Sequence, residues 1–329
     1  MLLHHRDDAT KGNLVEFRPD IKVLDCSVRD GSLVNNARFE DSFVRAVYDA
    51  CAAAGVDYME LGYKASEQVF SRNDYGPWKF CKEDDLRRIV GDNPHPMKLS
   101  VMADAHRTDY HTDILPKDQS VIDMVRVACY IHQIPGALDL VKDAHDKGYE
   151  TTLNLMSVSR VPERELGDGL EVIAKSPVDV MYLVDSFGSL YPETTRNMAL
   201  NYLEVMKSVG KEVGIHTHNN QQLAFANTIQ ALTVGVSYLD ATLYGLGRGA
   251  GNCPLEMLLG FLRNPKFDIR PILNCITQDI LPLRDKVVWG YDIPYMITGQ
   301  FNEHPREAIK FLDAGSRDYI GFYKTIEDF

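Results

Sequence analysis

The chain has no excess of basic residues: 35 Lys and Arg face 47 Asp and Glu over 329 residues, a formal net charge of −12. No Lys- or Arg-rich stripe stands ready to neutralise phosphates, so the electrostatic footprint of a nucleic-acid binder is missing. Long apolar runs are missing as well. None approaches the ~20 residues that a membrane-spanning helix needs, and the opening MLLHHRDDATKG has too little apolar length for a signal peptide. The expectation is a cytoplasmic protein with no membrane association. Paired cysteines are also absent: Cys26, Cys51, Cys81, Cys129, Cys253 and Cys275 are scattered without a CxxC. Such usage fits reduced thiols rather than a disulfide scaffold. Apolar surroundings such as RVACY and AVYDACAAAG predict buried, inert sulfurs. Internal repeats and low-complexity segments do not occur.

What is present is a globular composition, 45% apolar, in a chain long enough for one large core or two smaller ones. Short apolar or β-branched runs alternate with amphipathic segments over most of its length. Eight runs read as strands: IKVLDCS, VDYMELGY, KLSVMAD, MVRVACY, YETTLNLMS, VDVMYLVD, EVGIHTH and YLDATLYG. The segments between them, such as DSFVRAVYDACAAAG and PGALDLVKDAHDKG, carry helical spacing and end at glycine. A doubly wound open sheet explains the same alternation. The polar ends of the strands favour a barrel, where chemistry collects at the C-terminal rim; Asp30, Glu60, Asp104, Asp185, His216 and His218 are read as those ends. The fold expected is a (β/α)8 TIM barrel over residues 21–265, preceded by a polar arm (1–20) and followed by a C-terminal helical extension (266–329).

Three constellations could carry chemistry. His216-Thr217-His218 closes a strand, whose period of two puts both imidazoles on one face. They could grip a metal, or they could be hydrogen-bonded core histidines. In LDCSVRDG the first strand is read as running into an Arg29-Asp30-Gly31 turn. This is either an ion pair with a turn cap, or an anionic metal ligand beside a fixed charge that stabilises an enolate. GLGRGAGN, residues 245–252, is a glycine-rich loop whose amides could cradle an anion or simply make a turn. It lacks the spacing of a dinucleotide fingerprint.

Taken in order, LDCSVRDGSLVNN, VDSFG and GIHTHNNQQLAFANTIQALTVGVSYLDATLYGLGRGAGNCPLE closely resemble the DRE-TIM metallolyases, also called the HMGL-like or pyruvate carboxyltransferase family, over roughly residues 21–262. The resemblance implies a divalent metal at the mouth of a TIM barrel and carbon–carbon bond making or breaking next to a carbonyl. It implies Asp30, His216 and His218 as metal ligands, Asn252 as a further ligand as in the lyase branch, and Arg29 as the catalytic arginine. This N/O donor set suits Mn²⁺ foremost, or Mg²⁺ or Co²⁺.

Departures from the family pattern bear on the branch. Ser32-Leu33 stands where condensing synthases carry Glu or Gln after RDG. Cys253 follows Asn252, whereas the lyase cysteine precedes the glycine-asparagine turn. No histidine follows Asp30 as it does in the aldolases, yet GLGRGAGNCPLE, VDSFGSL, DMVRVACY and WGYDIPYMITG are most similar to the 2-oxo acid aldolase branch, that of the 4-hydroxy-2-oxovalerate aldolases.

Candidates to replace that histidine are His106, His111, Tyr291 and Tyr295; each tyrosine could equally be a packed aromatic. Glu60, Tyr63, Arg126, Asn154, Asp185 and Ser186 are expected at the barrel mouth, as substrate-binding groups or as a buried polar network. Tyr295 is also a substrate-binding candidate. A Schiff-base mechanism would need a lysine such as Lys64.

The reading is an aldolase joining or separating a 2-oxo acid, such as pyruvate, and an aldehyde. A Claisen-type acyl-CoA synthase on the same metal, or an inert metal-binding barrel, are the alternatives. The resemblance implies a homodimer, and in that branch the C-terminal region can contact an aldehyde dehydrogenase.

Overall fold

A computed structural model describes residues 20–327; the arm expected over 1–20 lies outside them but for its last residue. All eight expected strands form: β1 Lys22–Asp25, β2 Tyr58–Tyr63, β3 Lys98–Asp104, β4 Met124–Cys129, β5 Glu150–Leu155, β6 Val180–Asp185, β7 Glu212–Thr217 and β8 Tyr238–Ala241. Each pairs in parallel with the next, and β1 closes on β8 through Leu24 opposite Asp240. The result is a closed TIM barrel with helices around it.

The apolar face of each helix explains the outer layer. Asp41–Ala54 buries Val44, Val47, Tyr48, Cys51 and Ala54, the spacing of one helical stripe. It ends at Gly55, whose φ of 75° is a left-handed cap that a residue without Cβ adopts at no steric cost. A Cβ there would lie 2.3 Å from the Lys266 carbonyl oxygen, so this helix end doubles as a seat for the chain that leaves the barrel. All six cysteines are free and buried.

Past the barrel, helices Ile269–Cys275, Ile293–Gln300, Arg306–Asp313 and Tyr319–Glu327 make the C-terminal extension. Tyr295, Ile297, Ala308, Phe322 and Ile326 form their own apolar cluster, which also takes in Ala250 of the glycine-rich loop. The indole of Trp289 donates to the Tyr244 carbonyl at 3.2 Å. These contacts tie the extension to the rim of the barrel at the loop after β8. Among the described residues no helix is long and apolar enough to cross a membrane.

One local expectation is corrected. Arg29 and Asp30 do not sit in a turn at the end of a strand: β1 stops at Asp25, and Ser27–Asn35 is a helix. The Asp25 carboxylate accepts from the Ser27 amide at 3.2 Å and from the Ser27 hydroxyl at 2.5 Å. That local bond turns the chain directly into a helix, and Arg29 and Asp30 fall in its first turn.

Candidate metal centre and its cavity

Asp30, His216 and His218 converge, each offering a ligand atom within 4.8 Å of the others. The strand period delivers the two histidines, whose rings meet edge to face with centroids 5.0 Å apart. Outer partners orient both rings. Nδ1 of His216 lies 3.0 Å from Asp240 Oδ2, and Nδ1 of His218 lies 2.9 Å from the Asp185 carbonyl oxygen. With each Nδ1–H donated outward, each Nε2 lone pair is left for the centre, the arrangement by which metal-binding histidines are held. His218 Nε2 is 3.8 Å from Asp30 Oδ2.

Asn252 joins them through an isolated bridge between its backbone and that of His218. Its Nδ2 donates to Asp30 Oδ2 at 2.5 Å. Two buried atoms at this centre, His216 Nε2 and Asn252 Oδ1, have no hydrogen-bond partner. Buried polar atoms of this kind are costly unless something binds them, and a divalent ion with mixed N/O preference fits the set.

The protonation states suit ligands. Burial opposes ionisation of Asp30, but Arg29, His218, His216 and the Asn252 amide outweigh it and hold the carboxyl well below the usual range. Burial, with repulsion from His216 and Arg248, lowers His218 against the pull of Asp30 and keeps the imidazole neutral.

A chain of charges lies behind the centre. Arg29 donates through Nε to Glu60 at 2.7 Å and through Nη1 to Asp30 at 2.5 Å. Glu60 Oε2 also accepts from Arg126 Nη1 at 2.8 Å, and Arg126 Nη2 donates to Asp240 at 2.6 Å. Arg126 is fully buried over the ring of Tyr182. Leaving one member of such a set unpaired costs about 3–5 kcal/mol, so Glu60, Arg126 and Asp240 hold Arg29 and His216 in fixed poses.

The centre opens into a cavity of about 290 Å³ at the C-terminal end of the strands. Of the expected substrate-binding residues, Tyr63, Asn154 and Ser186 line it together with Arg29, Asp30, His216 and His218. Glu60 and Arg126 lie under its floor, and the Asp185 carboxylate turns away to the Ser189 and Leu190 amides.

The structure does not bring the candidate bases to the cavity. His106 is exposed and packs over Gly136, His111 faces solvent beside Asp143, and Tyr291 is half exposed. Tyr295 is buried against Gly249 in the C-terminal cluster. Lys64 donates to the Cys81 carbonyl at 2.7 Å, away from the cavity. These positions follow from loop and helix geometry that strand counting cannot see.

Sequence reading missed Asp240, Lys79, Arg107, Arg248, His304 and Arg306. Asp240 lies within YLDATLYG and Arg248 within GLGRGAGN, so both were within reach. Lys79, buried with its Nζ 4.3 Å from the Tyr63 ring centre and 4.2 Å from that of Phe70, and His304, far beyond the glycine-rich loop in the chain, gave no local sign.

The chain belongs to the HMGL-like family, whose sequence pattern matches residues 20–278. Among its relatives is the oxaloacetate decarboxylase of Mycobacterium tuberculosis, 29% identical over 304 residues, covering 90% of this chain and 86% of the relative. The 4-hydroxy-2-oxovalerate aldolase of Thermus thermophilus is 29% identical over 287 residues, 82% of this chain and 80% of that one. In structure the chain is similar to hydroxymethylglutaryl-CoA lyase from Pseudomonas aeruginosa, with a TM-score of 0.65 at 16% identity over 81% of this chain and 94% of that one.

Proposed function

We propose that this protein is a divalent-metal-dependent carbon–carbon lyase that forms or cleaves the aldol of a 2-oxo acid and an aldehyde. The observation that carries the reading is the triad Asp30, His216 and His218, with both Nδ1 atoms engaged outward and the Arg29 guanidinium bound to the triad's own carboxylate. The aldolase and decarboxylase relatives support it, since cleaving a 4-hydroxy-2-oxo acid and decarboxylating oxaloacetate both leave the enolate of pyruvate.

A divalent ion held by Asp30, His216 and His218, with Asn252 beside it, supplies Lewis acidity toward the oxo acid's carbonyl. Arg29, locked by Glu60, presents a fixed positive charge to the negative charge that develops on the enolate oxygen. In cleavage the bond between C3 and the carbinol carbon breaks, its electrons enter the enolate, and the hydroxyl proton leaves as the aldehyde forms. Tyr63, which lines the cavity beside Arg29 and is kept protonated by burial, donates a hydrogen bond from its hydroxyl to the enolate oxygen, and the proton released passes to solvent. Closure of the floor by Glu60, Arg126 and Asp240 keeps these groups preorganised.

The test is proton NMR of pyruvate in D₂O with protein stripped of metal and then given Mn²⁺. Deuterium entering the methyl group only with metal is the expected result; an Asp30→Asn variant that keeps full exchange would sink the reading. The decarboxylase relative motivates a second use of the same enolate, and carbon dioxide release from oxaloacetate above the rate of free Mn²⁺ alone checks it.

A further inference from the structure

The cavity holds more positive charge than one oxo acid can answer. Five cations line it, Arg29, Lys79, Arg107, Arg248 and Arg306, against two carboxylates, Asp30 and Asp104. Arg29 and Asp30 bind each other, which leaves four cations facing Asp104.

Part of the surplus has a defined seat. Arg248 reaches into the cavity from the glycine loop, makes no ion pair among the described residues, and leaves its Nε buried without a partner. Its Nη1 lies 3.3 Å from Nε2 of His304. That nitrogen accepts from Arg248 only in the tautomer whose proton is on Nδ1. His304 Nδ1 faces the Arg306 amide at 3.1 Å, and a neutral ring has one acceptor nitrogen, so it cannot accept from both donors. Burial and the positive charges of Arg248 and Arg306 push His304 down to about 4, which keeps that ring neutral. One N–H donor is thus left without an acceptor, beside the buried unpartnered Nε of Arg248 and an exposed arginine, and an oxyanion placed there would satisfy them.

We propose that Arg248, His304 and Arg306 receive an anionic terminus of the acceptor aldehyde, a phosphate monoester or a carboxylate, so that the aldol carries a second anion beyond the oxo acid's own carboxylate. This rests on the aldolase reading above. In synthesis C3 of the pyruvate enolate bonds to the aldehyde carbon, the carbonyl π electrons move to oxygen, which takes a proton, and the anionic end is unchanged. The C-terminal extension thereby sets acceptor choice, since it alone supplies His304 and Arg306.

The experiment measures kcat/KM of the Mn²⁺-loaded full chain with pyruvate and matched aldehydes: glycolaldehyde phosphate against glycolaldehyde, and succinate semialdehyde against butanal. We expect an anionic acceptor to be favoured by roughly tenfold or more, the worth of one charge-assisted hydrogen bond. Which pair shows the larger ratio distinguishes phosphate from carboxylate. Arg306→Ser, at an exposed position that tolerates change, should lower the ratio, and Arg306→Lys should restore part of it; His304→Phe should lower it too. Inorganic phosphate should inhibit competitively against the aldehyde. Deuterium exchange into pyruvate together with equal kcat/KM for charged and neutral aldehydes overturns the proposal, as does a preference untouched by Arg306→Ser and His304→Phe. Absence of exchange instead overturns the aldolase reading, and the proposal with it.

Discussion

Asp240 Oδ2 stands 3.0 Å from His216 Nδ1 and thereby decides which nitrogen of that imidazole faces the cavity. The same oxygen receives Arg126 at 2.6 Å, so the ring's pose and a buried guanidinium depend on one atom. The pair joins the candidate metal centre to the charged floor of the barrel.

Replacing Asp240 by Asn keeps the shape but removes the charge. We expect divalent-metal affinity to fall by about 10–100-fold, the usual effect of losing an outer partner of a ligating histidine. Isothermal titration with Mn²⁺ measures it. Thermal unfolding should fall too, because Arg126 loses half of its compensation.

Gly247 is a sharper probe of the centre. A Cβ there would lie 2.3 Å from Asn252 Nδ2 and 2.6 Å from Asp30 Oδ2, so Gly247→Ala must displace one of them. Displacement of a reacting group by about 1 Å can cost on the order of 100-fold. We expect enolisation of pyruvate to drop on that scale while the circular dichroism spectrum is unchanged. Full exchange in this variant would argue that the Asp30–Asn252 contact does not matter to turnover.

Metal binding should also be visible without activity. Since the donor set is assembled only in the folded chain, a ligand at a hundredfold excess over its Kd stabilises by about 2.7 kcal/mol. Differential scanning calorimetry should show the melting temperature rise when Mn²⁺ is returned to stripped protein. His218→Ala should abolish that rise.

Burial pushes Asp25 up to about 7 from its usual 3.8, with Glu60 and Asp240 adding repulsion and the Ser27 hydrogen bonds opposing. The folded chain therefore keeps a proton that the unfolded chain gives up, and between about pH 4 and 7 this residue's contribution to stability declines as pH rises. At about 1.4 kcal/mol per unit the decline amounts to a few kcal/mol. Urea titrations at pH 4.5 and 7 should show a flatter dependence for Asp25→Asn than for the parent chain. Equal slopes would count against a protonated Asp25.

The order of the strands was legible because a parallel barrel strand is buried on both faces and reads as a short, mostly apolar run, which leaves a local mark such as VMYLVD at β6. His216 and His218 were legible for a related reason: a strand repeats every two residues, so two imidazoles two apart share a face wherever the strand goes. Arg29 and Asp30 were recognisable in type but not in setting, because the bond from Ser27 to Asp25 that starts their helix competes with a turn of nearly equal local preference.

Local patterning alone marked eight strands alternating with helices and put His216 and His218 on one face of the seventh, since both follow from periodicities a few residues long. Tertiary packing alone put Glu60 and Arg126 beneath the cavity rather than in it, turned His106 and Tyr291 away, and brought His304 and Arg306 back to the rim beside Arg248. Those placements depend on closure of β1 against β8 and on docking of the C-terminal helices onto Ala250. Such contacts join residues far apart in the chain, and no short stretch of sequence encodes them.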